Sequence, residues 1–192
     1  MISRTVDPLP RTRSRIVLRR LRADDLPAFQ VYRADPEVGR FQGWSPMPIP
    51  AATAFLAGMN TALFGVAGEW FQLGIAEPAT DRLIGDIGFC LCGPKNEHAE
   101  IGFSLAREFQ GQGLATEAVS AMIEVLFECT KIERVVAMTD ERNLSSIRLL
   151  QRVGMKRVSQ VNSVFRGEPC VEQVYVRHRG GVIRYFVCSS QS

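Results

Sequence analysis

The run Gln110-Gly111-Gln112-Gly113-Leu114-Ala115 joins a strand-like stretch, residues 100–105, to an unbroken helical pattern over residues 114–129. A strand that passes into a helix through two glycines limits the folds open to this chain more than any other feature in it. Small residues there let successive backbone N–H groups face one concavity at the positive end of a helix dipole, a setting that suits phosphate or pyrophosphate. The turn reads as an anion cradle, although many such junctions use glycine only to turn tightly. Two nucleotide motifs lose ground. A P-loop needs Gly-Lys-Ser/Thr at the helix start, and here Leu114 and Ala115 follow Gly113. The dinucleotide fingerprint needs a third glycine where this chain has Thr116.

Downstream, residues 134–139 read as a buried strand and 140–143 as a polar turn. A short helix over 144–153 stops at Gly154, a C-cap. Upstream, alternation over residues 16–21 gives a strand, and Asp24 can cap a helix that begins Asp25-Leu26-Pro27. A stiff connector, residues 44–50, precedes a second helix that starts after Pro50 and runs to Leu63. Residues 69–76, 83–91 and 98–105 form a three-strand meander, and 156–164 with 171–176 a final hairpin. In the helix after the glycine turn, Leu114, Ala118, Ala121, Met122 and Val125 make the apolar stripe that packs on the sheet.

Several short motifs then occur in order: Glu100-Ile101-Gly102-Phe103, Gln110-x-x-Gly113-x-Ala115 with Thr116-Glu117-Ala118, Asn143-x-x-Ser146, and Gly154-Met155. Arg15-Ile16-Val17-Leu18-Arg19, Asp35-Pro36-Glu37-Val38 and Gly43-Trp44 precede them. In this succession, over about residues 15–178, the chain resembles the GNAT superfamily of acyl-CoA-dependent N-acetyltransferases. Within it the likeness is to the RimJ/RimL-like branch, which acetylates ribosomal-protein N-termini. The resemblance implies an α/β fold of the α+β type: a mixed, mostly antiparallel sheet of about seven strands flanked by helices, with a splayed central strand pair. It divides the chain into an N-terminal segment, residues 1–14, an acetyltransferase domain, 15–179, and a tail, 180–192, readable as an edge strand, a dimer arm or a loose end.

A length of 192 residues suits one well-buried domain. With a net charge of +3 and only a modest arginine cluster over residues 11–22, read as a solvated segment, nothing points to nucleic acid. The five cysteines, Cys90, Cys92, Cys129, Cys170 and Cys188, contain no Cys-x-x-Cys pair, and only His98 and His178 could join them, so no metal is expected. Cys90 and Cys92 share a strand face as packing residues or reduced thiols. No secretory leader follows Met1 and no apolar run approaches the ~20 residues of a bilayer span, so the expected compartment is the reducing cytoplasm, without a membrane partner. A homodimer stays open.

The resemblance implies acetyl-CoA as co-substrate, held by Gln110, Gly111, Gln112, Gly113, Leu114, Ala115 and Thr116. Its pantetheine arm would lie between the strands at 100–105 and 134–139, with a backbone N–H near Phe103 or Ser104 polarising the thioester carbonyl. Direct attack by an amine leaves two proton transfers to arrange. Glu100 is the first candidate base, with Glu168 and Glu172 after it; an exposed strand-end carboxylate is the plain alternative for Glu100. Many family members place a tyrosine where this chain has Leu150, so Ser146 becomes the candidate proton donor to sulfur, and Asn143 a ligand for the pantetheine amide. Helix capping accounts for the same Asn143 and Ser146. Arg148 and Arg152 read as a solvated helix face in reach of nucleotide phosphates. Phe41 and Trp44, with the proline-rich connector, wall the acceptor side. The acceptor is a primary amine, by branch resemblance a protein N-terminus. The alternatives are a small-molecule amine (polyamine, aminoglycoside or amino-acid-like) and a non-catalytic CoA-binding module. A deep acidic pocket favours a polycation, and an open groove lined by backbone donors a peptide.

Overall fold

The computed structural model describes residues 7–93 and 95–181. The chain runs β1 (Arg11–Thr12), β2 (Val17–Arg20), α1 (Leu26–Ala34), α2 (Pro36–Gly39), α3 (Ile49–Thr61), β3 (Trp70–Ala76), β4 (Leu83–Cys92) and β5 (His98–Leu105). It continues with α4 (Leu114–Cys129), β6 (Arg134–Asp140), α5 (Leu144–Arg152), β7 (Lys156–Phe165) and β8 (Glu168–His178). All eight strands form one sheet in the order β1-β2-β3-β4-β5-β6-β8-β7, antiparallel throughout except where β5 meets β6. The strand beyond the expected seven is the two-residue β1, which pairs with β2 through Arg11↔Leu18 and Thr12↔Val17. The tail over residues 182–192, with Cys188, lies outside the described residues.

Alternation along β4 and β5 gives the sheet two unlike faces. Ile87, Phe89, Ile101 and Leu105 join one core with α4 and α5. On the opposite face the cross-strand pairs are Asp86↔Ser104, Gly88↔Gly102 and Cys90↔Glu100, with Gln72 and Trp70 of β3 opposite Gly88 and Cys90. That face is polar and small-residued in the middle. A second core, with Leu21, Phe29, Tyr32, Val38, Ala52, Leu56 and Leu83, seats α1 and α3 beside it.

Helix α4 is buried over more than one stripe. Besides the five expected positions, Val119, Ile123 and Leu126 are buried. The N-terminal arm lies along this helix and is tied down rather than solvated. Leu9 packs on the main core. Arg11 donates to Glu128 at 2.7 Å, Arg13 pairs with Glu124, and Arg15 Nε donates to Glu117 at 3.0 Å, all along α4. Arg19, in the same cluster, is 4% exposed and donates twice to Asp25 at 2.8 Å and twice to Asp81, to its carboxylate at 2.6 Å and its backbone carbonyl at 2.9 Å. A buried pair of this kind costs about 3–5 kcal/mol when one partner is removed, because the other charge stays behind unpaired. Truncating Met122 in the α4 core to alanine costs about 2–5 kcal/mol, because the cavity it leaves closes only in part.

The final hairpin turns at Arg166-Gly167, both with positive φ, 53° and 84°, the two-residue geometry that matches strand twist. Its strands reach further than the periodicity predicts, and its tip extends over α2. Among the described residues no helix is long and apolar enough to cross a membrane.

Candidate active site

Strands β5 and β6 run parallel through three register pairs, His98↔Arg134, Ala99↔Val135 and Glu100↔Val136, and then part. Each stays zipped to its other neighbour, β5 to β4 through Leu105 and β6 to β8 through Asp140. The backbone beyond Glu100 therefore faces a wedge. Two cavities meet there, of about 680 and about 690 Å³, sharing Phe41, Gln42, Ile101, Gly102, Phe103, Ser104, Met138 and Thr139.

The first cavity runs from the wedge to the glycine turn. Gly113 caps α4 with φ 81° and Gly111 has φ 74°, a region L side chains rarely adopt. A Cβ on Gly113 would also meet Arg15 Nη2 at 3.4 Å. The first N–H of α4 to return to the chain is that of Glu117, to the Gly113 carbonyl at 3.1 Å. Those of residues 111–116 have no protein acceptor among the described residues, which leaves a row of donors at a helix N-terminus. Arg15 braces the turn by donating to the Gln112 carbonyl at 2.8 Å while pairing with Glu117. Burial pushes the Glu117 carboxyl up, but the Arg15 N–H, the Ser14 hydroxyl and the Arg15 guanidinium outweigh it, and the net shift is down.

Of the residues read as cofactor-binding, Phe103, Ser104, Gln110, Gly111, Gly113, Leu114, Ala115, Thr116, Asn143 and Ser146 line this cavity. Gln112 does not: its side chain turns back to the Glu108 carbonyl at 2.8 Å. Asn143 caps α5, its Oδ1 accepting from the Ser146 N–H at 3.2 Å, so the amide nitrogen is the end left for a ligand. Leu150, one turn beyond Ser146, is fully buried in the main core, where it offers no proton. Arg40, Arg148 and Arg152, all exposed, line the mouth of the cavity against one carboxylate, Glu37, so the two helix arginines keep the solvated face read from sequence.

The second cavity has the opposite charge. Asp86, Glu100, Asp140 and Glu172 line it against one guanidinium, Arg33. Asp86, 1% exposed, accepts from the Tyr32 hydroxyl, from Arg33 Nη2 at 2.7 Å and from Gln72 Nε2 at 2.6 Å. Gly88 makes that network fit, since a Cβ there would meet Gln72 Oε1 at 2.2 Å. Asp140 accepts from Arg142 at 2.6 Å, and that bond holds its carboxyl below the usual range. Glu100 sits in this cavity rather than the first, with Phe41 and Trp44 opposite, while Glu168 lies at the hairpin turn and lines neither. Arg33 stacks over Trp44 at 4.3 Å, which fixes the indole as a wall.

Two residues here, Gln42 and Arg166, gave no sequence signal. Gln42 lines both cavities and donates to the Phe103 carbonyl at 3.1 Å, at the wedge itself. Arg166 reaches back from the β7–β8 turn to the carbonyls of Gly39, Gln42 and Trp44 at 3.2, 3.2 and 3.1 Å, clamping the segment that carries Phe41 and Trp44. Ser104 Oγ is buried and without a hydrogen-bond partner among the described residues. Cys90 and Cys92 approach to 3.2 Å between sulfurs, and burial, with the Cys92 contact and Glu100, pushes the Cys90 thiol up to about 11. Among the described residues no group of three or more His, Cys, Asp or Glu could hold a metal ion.

Residues 15–156 match the family model described as an acetyltransferase (GNAT) domain. An uncharacterized N-acetyltransferase, p20, of Bacillus licheniformis is 27% identical over 84% of this chain and 90% of its own length. The ribosomal protein uS5 alanine N-acetyltransferase of Escherichia coli is 30% identical over 49% of each chain. Among solved structures, the RimL ribosomal-protein alpha-N-acetyltransferase in complex with coenzyme A superposes with a TM-score of 0.74 at 17% identity, over 88% of this chain and 96% of that one. At that identity the likeness is one of fold.

Proposed function

Given that this chain belongs to the GNAT family of acetyltransferases, we propose that it moves the acetyl group of acetyl-CoA directly to the amine of a protein N-terminus, with both substrates bound at once. Acetyl-CoA supplies an acyl group activated on sulfur. The N–H groups of residues 111–116, with Arg40, Arg148 and Arg152, would hold its phosphates. The Asn143 amide and the parted edges of β5 and β6 would hold its pantetheine arm. The backbone N–H of Phe103, on the β5 edge that faces the wedge, would donate to the carbonyl oxygen as negative charge grows there, the Ser104 N–H being directed at β4.

The incoming ammonium gives its proton to Glu100, directly or through water, before nitrogen attacks the carbonyl carbon. As the C–N bond forms and the C–S bond breaks, the attacking nitrogen releases its second proton to solvent water, and the Ser146 hydroxyl donates to the departing sulfur and is reprotonated from solvent. Leu150 lies buried, so the donor proposed on α5 is Ser146. Most of the acceleration comes from placing the two groups together, which well-oriented sites supply at up to about 7–11 kcal/mol.

The observation that carries this reading is the meeting of a cation-lined and a carboxylate-lined cavity at the one place where β5 and β6 part. The relatives that act on ribosomal proteins favour a protein N-terminus. The carboxylates favour a second acceptor class, a small cationic amine. A thiol-release screen with acetyl-CoA and N-terminal peptides, polyamines and aminoglycosides decides between them. Steady release with peptides alone supports the first reading, release with polyamines or aminoglycosides alone supports the second, and no release with any amine removes both.

A further inference from the structure

The acceptor cavity holds more negative charge than a single amine can offset. Arg33 neutralises Asp86 and Arg142 neutralises Asp140, whereas Glu100 and Glu172 belong to no ion pair among the described residues. Both are half-buried in a wall that also carries Phe41, Trp44, Phe55, Trp70 and Phe165. Two uncompensated carboxylates beside aromatic surface are poorly hydrated and repel each other, so a ligand bringing two positive charges lowers the energy of both.

An independent observation also asks for a ligand in the same cavity. Ser104 is 5% exposed, its Oγ has no partner among the described residues, and the residue lines the cavity from β5. Buried hydroxyls are normally satisfied, and a polar group on the acceptor would satisfy this one.

The sheet sets the spacing. Glu100 is level with Val136 of β6, and Glu172 of β8 pairs with Asp140, four residues further along β6. Two strand widths and four residues of rise separate their Cα atoms by roughly 16 Å, leaving roughly 8–12 Å between charges once both side chains lean inward. The geometry points to an acceptor with two cationic centres: the amine that is acetylated, at Glu100, and a second fixed cation at Glu172, joined by an apolar spacer against the aromatic wall. This rests on the transferase reading above. A peptide with Lys or Arg shortly after its N-terminus and a long aliphatic diamine present the same chemistry.

The test measures binding and turnover side by side. Peptides differing only by Lys, norleucine or Glu at positions two to four, and diaminoalkanes against monoamines of equal length, are titrated calorimetrically into the protein with CoA bound, then assayed with acetyl-CoA. The second cation is expected to tighten binding about five- to tenfold. Glu172→Gln should bring the Lys-to-norleucine ratio to about one, and Glu172→Lys should turn the preference towards the Glu peptide. Preference among peptides but not diamines assigns the chemistry to a polypeptide, and the reverse to a small molecule. Equal affinity for Lys and norleucine peptides and for diamines and monoamines, or a preference unchanged in both variants, overturns the inference even if transfer is brisk. If dications bind tighter and Glu172→Gln erases this, yet nothing is acetylated, the two-cation site stands, and the transferase reading falls together with the assignment of the amine at Glu100 as the acetylated one.

Discussion

The two cavities that meet at the parted strands are built in different ways. The side proposed for the cofactor is mostly main chain from one short stretch, the N–H groups of residues 111–116, held in shape by two glycines at positive φ and by the Arg15–Glu117 brace. The side proposed for the acceptor is mostly side chain, drawn from α1, the 41–47 connector, α3, β3, β4, β5, β6 and the β7–β8 hairpin. Main-chain donors stay in place whatever the neighbouring side chains are, so the first side keeps one ligand. The second can change its ligand by single substitutions, which suits it to set specificity.

The largest effect should come from breaking the first side alone. Gly113→Leu forces a side chain into a φ of 81° against Arg15, and CoA affinity measured by calorimetry should fall more than about a hundredfold. Retained affinity would contradict the cradle. Glu100→Gln, on the second side, should leave CoA affinity intact and lower turnover about a hundredfold, with part of the loss recovered at high pH where the amine deprotonates unaided. An unchanged pH–rate profile removes Glu100 as the base.

Smaller effects sharpen the contrast. Glu117→Gln should cost about 1–3 kcal/mol at neutral pH by thermal melting, since a carboxylate with three donors loses its charge. Because folding lowers this carboxyl from its ordinary 4.5, its stabilisation is fully present above about that pH and fades as pH falls through the lower folded value. The melting curves of variant and parent should therefore converge in acid, and a constant gap down to pH 2–3 would refute the assignment. Arg166→Ala should raise the acceptor KM about three- to tenfold and leave the acetyl-CoA KM unchanged, because three carbonyls of the acceptor wall lose their common donor. Equal changes in both KM values would mean the clamp serves the whole fold.

The same contrast explains what the sequence could reveal. The glycine turn, the α4 stripe and the strand at residues 98–105 are local patterns, and residue spacing alone locates them. Asn143 and Ser146 sit at a fixed offset within one helical turn and were equally visible. Gln42, Arg166 and the Asp86–Arg33–Gln72 network are not local: each joins segments from 14 to 127 residues apart, and no periodicity marks such a contact. The arginines of residues 11–19 look solvated in sequence because their partners, Glu117, Glu124, Glu128, Asp25 and Asp81, lie mostly on other elements.

The central claim, that main-chain amides at the start of α4 hold the coenzyme while the acceptor uses the opposite cavity, is tested most directly by amide NMR during titration with CoA. The account predicts large shifts at residues 111–116 and at the N-terminus of α5, with little change at Trp44, Trp70 and Glu172. Shifts centred on the acceptor wall, with the glycine turn silent, would contradict it.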